Sequence, residues 1–226
     1  MSIANKKELV KQKVKKEHGC SGACARCARI HRLIDLMYDA NIPVGYWFLT
    51  MKNFTGAEEL KDIYEEYISS LLYSYMDGKS ICFAGNQGTG KTMTSICILK
   101  KAIKNGYSAY YTTASDILNN MTDYKNNGEF RARLRESDFL VIDELDSRFF
   151  TSDSVKELFS GIYENVFRYR SHNMMPTIVC TNETDGISGV FYGAGVQSIE
   201  SLNQQYLTIY PVVGPDFRKK RGDDAR

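Results

Sequence analysis

The chain has 226 residues, 43% of them hydrophobic and 25% charged, with a net charge of +2. These values suit a soluble globular protein of one medium domain plus a small appendage, or two small domains, and the overall charge points to no particular partner. No apolar run approaches the ~20 residues of a membrane helix, and no apolar core follows the basic start as it would in a secretory signal. The expectation is a cytoplasmic protein with no membrane partner, in which the six Cys residues are metal ligands or buried thiols rather than disulfides.

The first 32 residues hold Lys6, Lys7, Lys11, Lys13, Lys15, Lys16, Arg26, Arg29 and Arg32 against very few acids, and Arg218-Lys219-Lys220-Arg221 forms a second basic cluster. Such clusters can meet phosphate backbones, although a solvated helix face and a frayed tail explain them equally well. Residues 1–17 read as a charged helix or arm. Cys20-x3-Cys24-x2-Cys27-x3-His31 follows, four ligands at short spacings that suit tetrahedral Cys3His zinc, with His18 as an alternative fourth ligand. The Cys spacing also occurs in iron–sulfur proteins, but a fourth nearby ligand favours Zn2+. Leu33, Ile34, Leu36 and Met37 suggest a short helix, broken at Asn41-Ile42-Pro43 because the residue before Pro is pushed out of helical geometry. The boundary is therefore set near residue 42, dividing a basic arm with its Cys/His module (1–41) from a second domain (42–226).

Residues 57–76 carry apolar positions at Leu60, Ile63, Tyr64, Tyr67, Ile68 and Leu71, the period of an amphipathic helix. Ser80 to Ala84 reads as a buried strand, Lys91 to Asn105 as a helix stopped by Gly106, and Tyr107 to Thr112 as a second strand. Ser115 to Met121 reads as helical. The pure apolar run Phe139 to Ile142 fits a parallel strand covered on both faces. Ser154-Val-Lys-Glu157 fits a capping box that opens a long amphipathic helix running past Phe167. Pro176 to Cys180 and Tyr206 to Tyr210 complete the strands. Strands alternating with helices give the fold class: an α/β parallel sheet flanked by helices.

Three elements carry chemistry. Gly85-Asn86-Gln87-Gly88-Thr89-Gly90-Lys91-Thr92 matches G-x-x-x-x-G-K-[ST], between an apolar strand and a helix. Glycines let main-chain N–H groups approach phosphates, and the helix aims its positive end at them. In such a loop Lys91 pairs with the β- and γ-phosphates of ATP, and Thr92 ligates Mg2+. Asp143 and Glu144 end an apolar strand, at the sheet edge where α/β ligands bind. Asp143 is expected in the Mg2+ shell and Glu144 as the residue that orients or deprotonates the attacking water. Thr181-Asn182 ends another core strand and can reach between the γ-phosphate and that water. Arg148, Arg168 and Arg170 are candidates for an Arg acting from a neighbouring subunit, with Arg170 the expected catalytic one.

With these parts placed, the chain resembles the DnaC/DnaI-type replicative helicase loaders of the AAA+ class, close to the IstB-type transposition ATPases. The likeness rests on Ala40-Asn-Ile-Pro43-x-x-Tyr46, the phosphate loop 85–92, Val141-Ile-Asp-Glu144, and Arg170 placed before Pro176-Thr-Ile-Val-Cys-Thr-Asn182. It implies an AAA+ P-loop ATPase whose N-terminal module grips a DnaB-type hexameric helicase and places it on single-stranded DNA, assembling as a homo-oligomer with ATP and partner. It makes Asn182 the sensor-1 residue and Arg218 a sensor-2 candidate. Relatives commonly carry an Arg finger where Ser201 stands here.

Overall fold

A computed structural model describes residues 2–21, 24–122, 127–150, 152–184 and 186–218; Lys219 to Arg221 of the basic tail lie outside them. Two helices form an antiparallel hairpin at the start, α1 (Ile3–His18) and α2 (Ala25–Asp39). After α3 (Glu59–Ser69) and α4 (Leu71–Met76) come β1 (Ser80–Gly85), α5 (Lys91–Lys104), β2 (Ala109–Thr113), α6 (Ala114–Thr122) and α7 (Asn127–Glu136). The rest is β3 (Phe139–Asp143), α8 (Asp153–His172), β4 (Thr177–Thr181), α9 (Val196–Tyr206) and β5 (Leu207–Val212).

Among the described residues the sheet has five strands in the order β2-β3-β4-β1-β5, and every pairing is parallel. All residues of β1, β3 and β4 are buried, because helices cover both faces of the sheet. Side chains alternate between two cores. Ile81, Phe83 and Val141 pack with Ile96 and Leu99 of α5 and with Leu60 and Tyr67 of α3, while Cys82, Leu140 and Ile142 pack with Phe159, Tyr163 and Phe167 of α8. Ile34 and Met37 of α2 join the first of these cores.

The single helix expected over 57–76 is split. Ser69 and Ser70 hydroxyls donate to the Glu66 carbonyl at 2.8 and 3.2 Å, a local competition that ends α3 before α4 begins. The long helix α8 opens two residues earlier than the expected capping box, with Ser152 accepting from the Val155 N–H at 3.3 Å. Helices α7 and α9 were not anticipated: their buried positions are few, Asn127 and Leu134 in one, Ile199, Leu202 and Asn203 in the other. No helix among the described residues is long and apolar enough to cross a membrane.

Candidate functional site

The carboxyl ends of β1, β3 and β4 open onto a cleft of about 480 Å3. The loop leaving β1 takes left-handed geometry at Gly88 (φ 76°) and Gly90 (φ 106°). Space closes both positions as well: a Cβ on Gly90 would lie 2.6 Å from the Phe54 ring, and one on Gly88 would overlap the Asp216 carboxyl group. Thr89 faces inward, its hydroxyl donating to the Asn86 carbonyl at 2.9 Å. Gly88, Gly90, Lys91 and Thr92 line the cleft together with Gln87.

Lys91 is only 6% exposed. Its Nζ donates to the Gly85 and Asn86 carbonyls, each at 2.7 Å, and to Asn182 Oδ1 at 3.0 Å. Burial lowers its pKa, against the pull of the nearby carboxylates. Asp143 is buried at the end of β3, where it accepts from the Tyr111 hydroxyl and the Glu144 N–H at 2.8 and 2.9 Å and from the Thr92 hydroxyl. Burial raises its pKa, and those three donors oppose the rise. The Thr92–Asp143 pair is the oxygen donor set that a hard divalent cation such as Mg2+ takes in a phosphate site. Glu144 has φ 54°, unusual for a side chain with a Cβ, and this turns its exposed carboxyl group away from the sheet into the cleft. Partial burial, then the like charges of Asp143 and Asp146, raise its pKa.

Asn182 is held by Asp146, a residue the sequence reading passed over. Asp146 is 1% exposed. Its carboxylate accepts from the Asn182 N–H (2.6 Å), the Asn182 amide (2.7 Å) and the Thr181 hydroxyl (3.3 Å), and it pairs with Arg148 at 3.0 Å. Asp146 therefore aims the Asn182 oxygen at Lys91. A second acid two residues beyond Asp143-Glu144 was the available signal. Tyr111 on the edge strand β2 ties Asp143 to the edge of the sheet.

Three Arg candidates separate. Arg148 lines the cleft of its own chain. Arg168 donates to Glu164 and Ser198, and does not line it. Arg170 corrects the expectation of a catalytic role. It is fully buried near the opposite end of the sheet, donating to Thr177 Oγ1 and to the carbonyls of Leu134, Arg135, Ser137, Asp138 and Pro176. Arg218 also lines the cleft, paired bidentately with Asp216, and the Phe217 N–H donates to the Gly88 carbonyl at 3.1 Å. Ser201 lies exposed on α9. The far wall of the cleft includes Tyr46 and Leu49. The buried ammonium of Lys100 donates to both of their carbonyls, that of Tyr46 at 2.9 Å.

At the tip of the α1–α2 hairpin the fourth ligand differs from the expected one. His18, Cys20, Cys24 and Cys27 bring their ligand atoms within 4.8 Å of one another. His18 Nδ1 is 3.4–3.5 Å from the three sulfurs, and Cys20 Sγ lies 3.7 and 3.2 Å from those of Cys24 and Cys27. A tetrahedral zinc with bonds of ordinary length has ligand–ligand edges of about 3.5–3.8 Å, so the donor set fits Zn2+. His31 is excluded because it sits a turn beyond Cys27 on α2 and faces α1, with Nε2 3.3 Å from the Lys11 carbonyl. His18 ends α1 and turns into the Cys loop.

The family model described as IstB-like ATP binding protein matches residues 40–183. The chain belongs to the IstB-like ATP-binding family. The family member described here is 29% identical over 154 residues to an insertion sequence IS5376 putative ATP-binding protein of Geobacillus stearothermophilus. The match covers 66% of this chain and 59% of that relative's length. Among solved structures, DnaI superposes with a TM-score of 0.61 at 16% identity, covering 78% of this chain and 94% of that one. AMPPCP-bound DnaA from Aquifex aeolicus gives 0.58 at 19%, covering 80% and 54%, and the DnaC helicase loader 0.52 at 20%, covering 74% and 99%. These likenesses carry the fold, an α/β AAA+ P-loop architecture. Within it, this IstB-like chain brings Lys91, Thr92, Asp143, Glu144 and Asn182 together at one cleft.

Proposed function

We propose that this IstB-like protein hydrolyses ATP to load a DnaB-type hexameric helicase onto single-stranded DNA, working as a homo-oligomer when ATP and partner are bound. The main-chain N–H groups of the loop and Lys91 would hold the triphosphate. Mg2+, held by Thr92 and Asp143, would supply neutralisation of phosphate charge. Glu144 takes the proton of the water that attacks the γ-phosphorus, and Asn182, aimed by Asp146, holds Lys91 in line. Arg218 stands ready as the sensor-2 cation.

The observation that carries an ATP-gated partner role is a hydrogen-bonded bridge from the cleft to the N-terminal hairpin. The Tyr111 hydroxyl donates to Asp143. The Tyr111 main chain donates to the Ala40 carbonyl (2.9 Å) and accepts from the Asn41 amide (3.0 Å), directly after α2. A change at the metal-side carboxylate therefore acts on the segment that carries the hairpin. The DnaI and DnaC fold neighbours support the loader reading. The insertion-sequence relative supports a second one, a transposition helper acting on duplex DNA with a transposase. Co-purification separates the two: an ATP-dependent complex with a DnaB-type helicase is expected, and one formed only with a transposase would overturn the loader reading.

The hairpin cluster is proposed as a structural zinc site formed by His18, Cys20, Cys24 and Cys27. Metal analysis should find about one zinc per chain, lost in His18→Ala and kept in His31→Ala. The reverse pattern would restore His31 as the ligand.

A further inference from the structure

Charge is distributed unevenly between the hairpin and the rest of the chain. Residues 1–32 carry nine basic and two acidic side chains, a net of +7, whereas the other 194 residues carry twenty basic and twenty-five acidic, a net of −5. Zinc bound to three thiolates would change the hairpin figure by only one unit. The lysines that face the helix seam are already neutralised. Lys7 and Lys11 both reach Asp35, at 3.3 and 2.6 Å, and Lys7 also lies 4.3 Å from the centre of the Tyr38 ring. Lys13 has Glu17 at 3.7 Å. The remaining six, Lys6, Lys15, Lys16, Arg26, Arg29 and Arg32, have no carboxylate partner among the described residues, and all but Lys15 are exposed.

Arg26, Arg29 and Arg32 follow one another at three-residue steps along α2, about 4.5 Å apart along the axis. Unpaired guanidinium groups repeated along a rigid rod match a polymer whose charge also repeats every few ångströms, as a nucleic-acid strand's does. A partner protein offers carboxylates at irregular positions. The helix pair also holds the backbone of these cations in place, and zinc bound at the ligand cluster would tie the end of α1 to the start of α2.

We propose that the outer face of this hairpin binds the phosphate backbone of nucleic acid. It adds a nucleic-acid ligand to the module that was expected to grip the helicase. It rests only on the DNA-handling part of the proposed function, which the loader and transposition readings share.

The test uses the full zinc-loaded chain and fluorescence anisotropy with a labelled 20-nucleotide single strand and the matching duplex, across a range of KCl concentrations. The variant Arg26→Gln/Arg29→Gln/Arg32→Gln should bind at least tenfold more weakly near 0.1 M salt. If the strand is single, its slope of log affinity against log salt should be shallower by about 2, from three lost contacts at ~0.7 each; a duplex ligand gives a larger change of the same sign. Binding of a fluorescent ATP analogue and zinc content should stay within twofold. A charge-matched control, Lys52→Gln/Lys61→Gln/Lys79→Gln, should keep DNA affinity. Wild-type DNA binding that the hairpin triple variant leaves unchanged would overturn the inference while sparing the DNA role. Loss of binding only to an acidic partner protein or to anionic vesicles would overturn it too. A wild-type chain that binds neither strand would overturn both.

Discussion

Lys91 and Arg170 are both buried cations held by several oxygen acceptors, yet they stand at opposite ends of one sheet and do different work. Lys91 has three acceptors and opens onto a cleft lined by Glu144, Gln87 and Arg148. Arg170 has six, five of them main-chain carbonyls, and is sealed from solvent. The difference teaches that the number of acceptors and access to the cleft, rather than charge, separate a group that can exchange partners from one that cannot. Ammonium at a cleft can trade carbonyls for phosphate oxygens. A guanidinium sealed among the ends of α7, β3 and β4 can only hold those ends together.

The sharpest way to break this comparison is Lys91→Ala. Turnover should fall by roughly two to three orders of magnitude, the loss of a positioned cation at the reacting charge, while stability in denaturant changes by only about 1 kcal/mol. Arg170→Met should do the reverse. Six oxygen acceptors lose their donor, so stability should drop by about 3 kcal/mol, the scale for stranding one side of a buried charged contact. ATP affinity per folded molecule should stay within twofold. Normal stability with lost turnover would return Arg170 to the reaction.

Smaller effects refine the cleft side. Asp146→Ala frees Asn182 and should lower kcat about tenfold, near 1.4 kcal/mol, with KM for ATP nearly unchanged. An effect on KM alone would make Asp146 part of the ground-state site. The smallest pH-dependent change in stability concerns Asp143. Burial raises its pKa in the fold above its unfolded value, so the ionised form opposes folding, and stability rises as pH falls through the folded pKa toward the unfolded one. Asp143→Asn removes that ionisation. It should raise ligand-free stability at pH 7 by about 1 kcal/mol and flatten the pH dependence measured by thermal unfolding, while abolishing turnover.

The phosphate loop was legible because its geometry leaves no alternative residue: Phe54 and Asp216 close the space at Gly90 and Gly88. The covered strands were legible as uninterrupted apolar runs. What escaped was decided by distant partners. Asp146 looks like any acid after a strand until Asn182 folds back onto it. Arg170 fits an Arg-to-Thr-Asn spacing equally well as a reacting group or a clamp, and only the carbonyls of residues 134–138 decide. His18, two residues before Cys20, and His31, four residues after Cys27, are both candidates in sequence, and the packing of α2 on α1 points one of them away.

Lys100 has a mechanical consequence. It fastens the Tyr46–Leu49 wall to the helix that begins with Lys91 and Thr92. Those two sides of the cleft therefore form one jaw of fixed width. Any opening stroke must run along the other seam, where the Asn182 amide oxygen meets the Lys91 ammonium and Asp143 meets the Thr92 hydroxyl, so those contacts are the latch between the jaws.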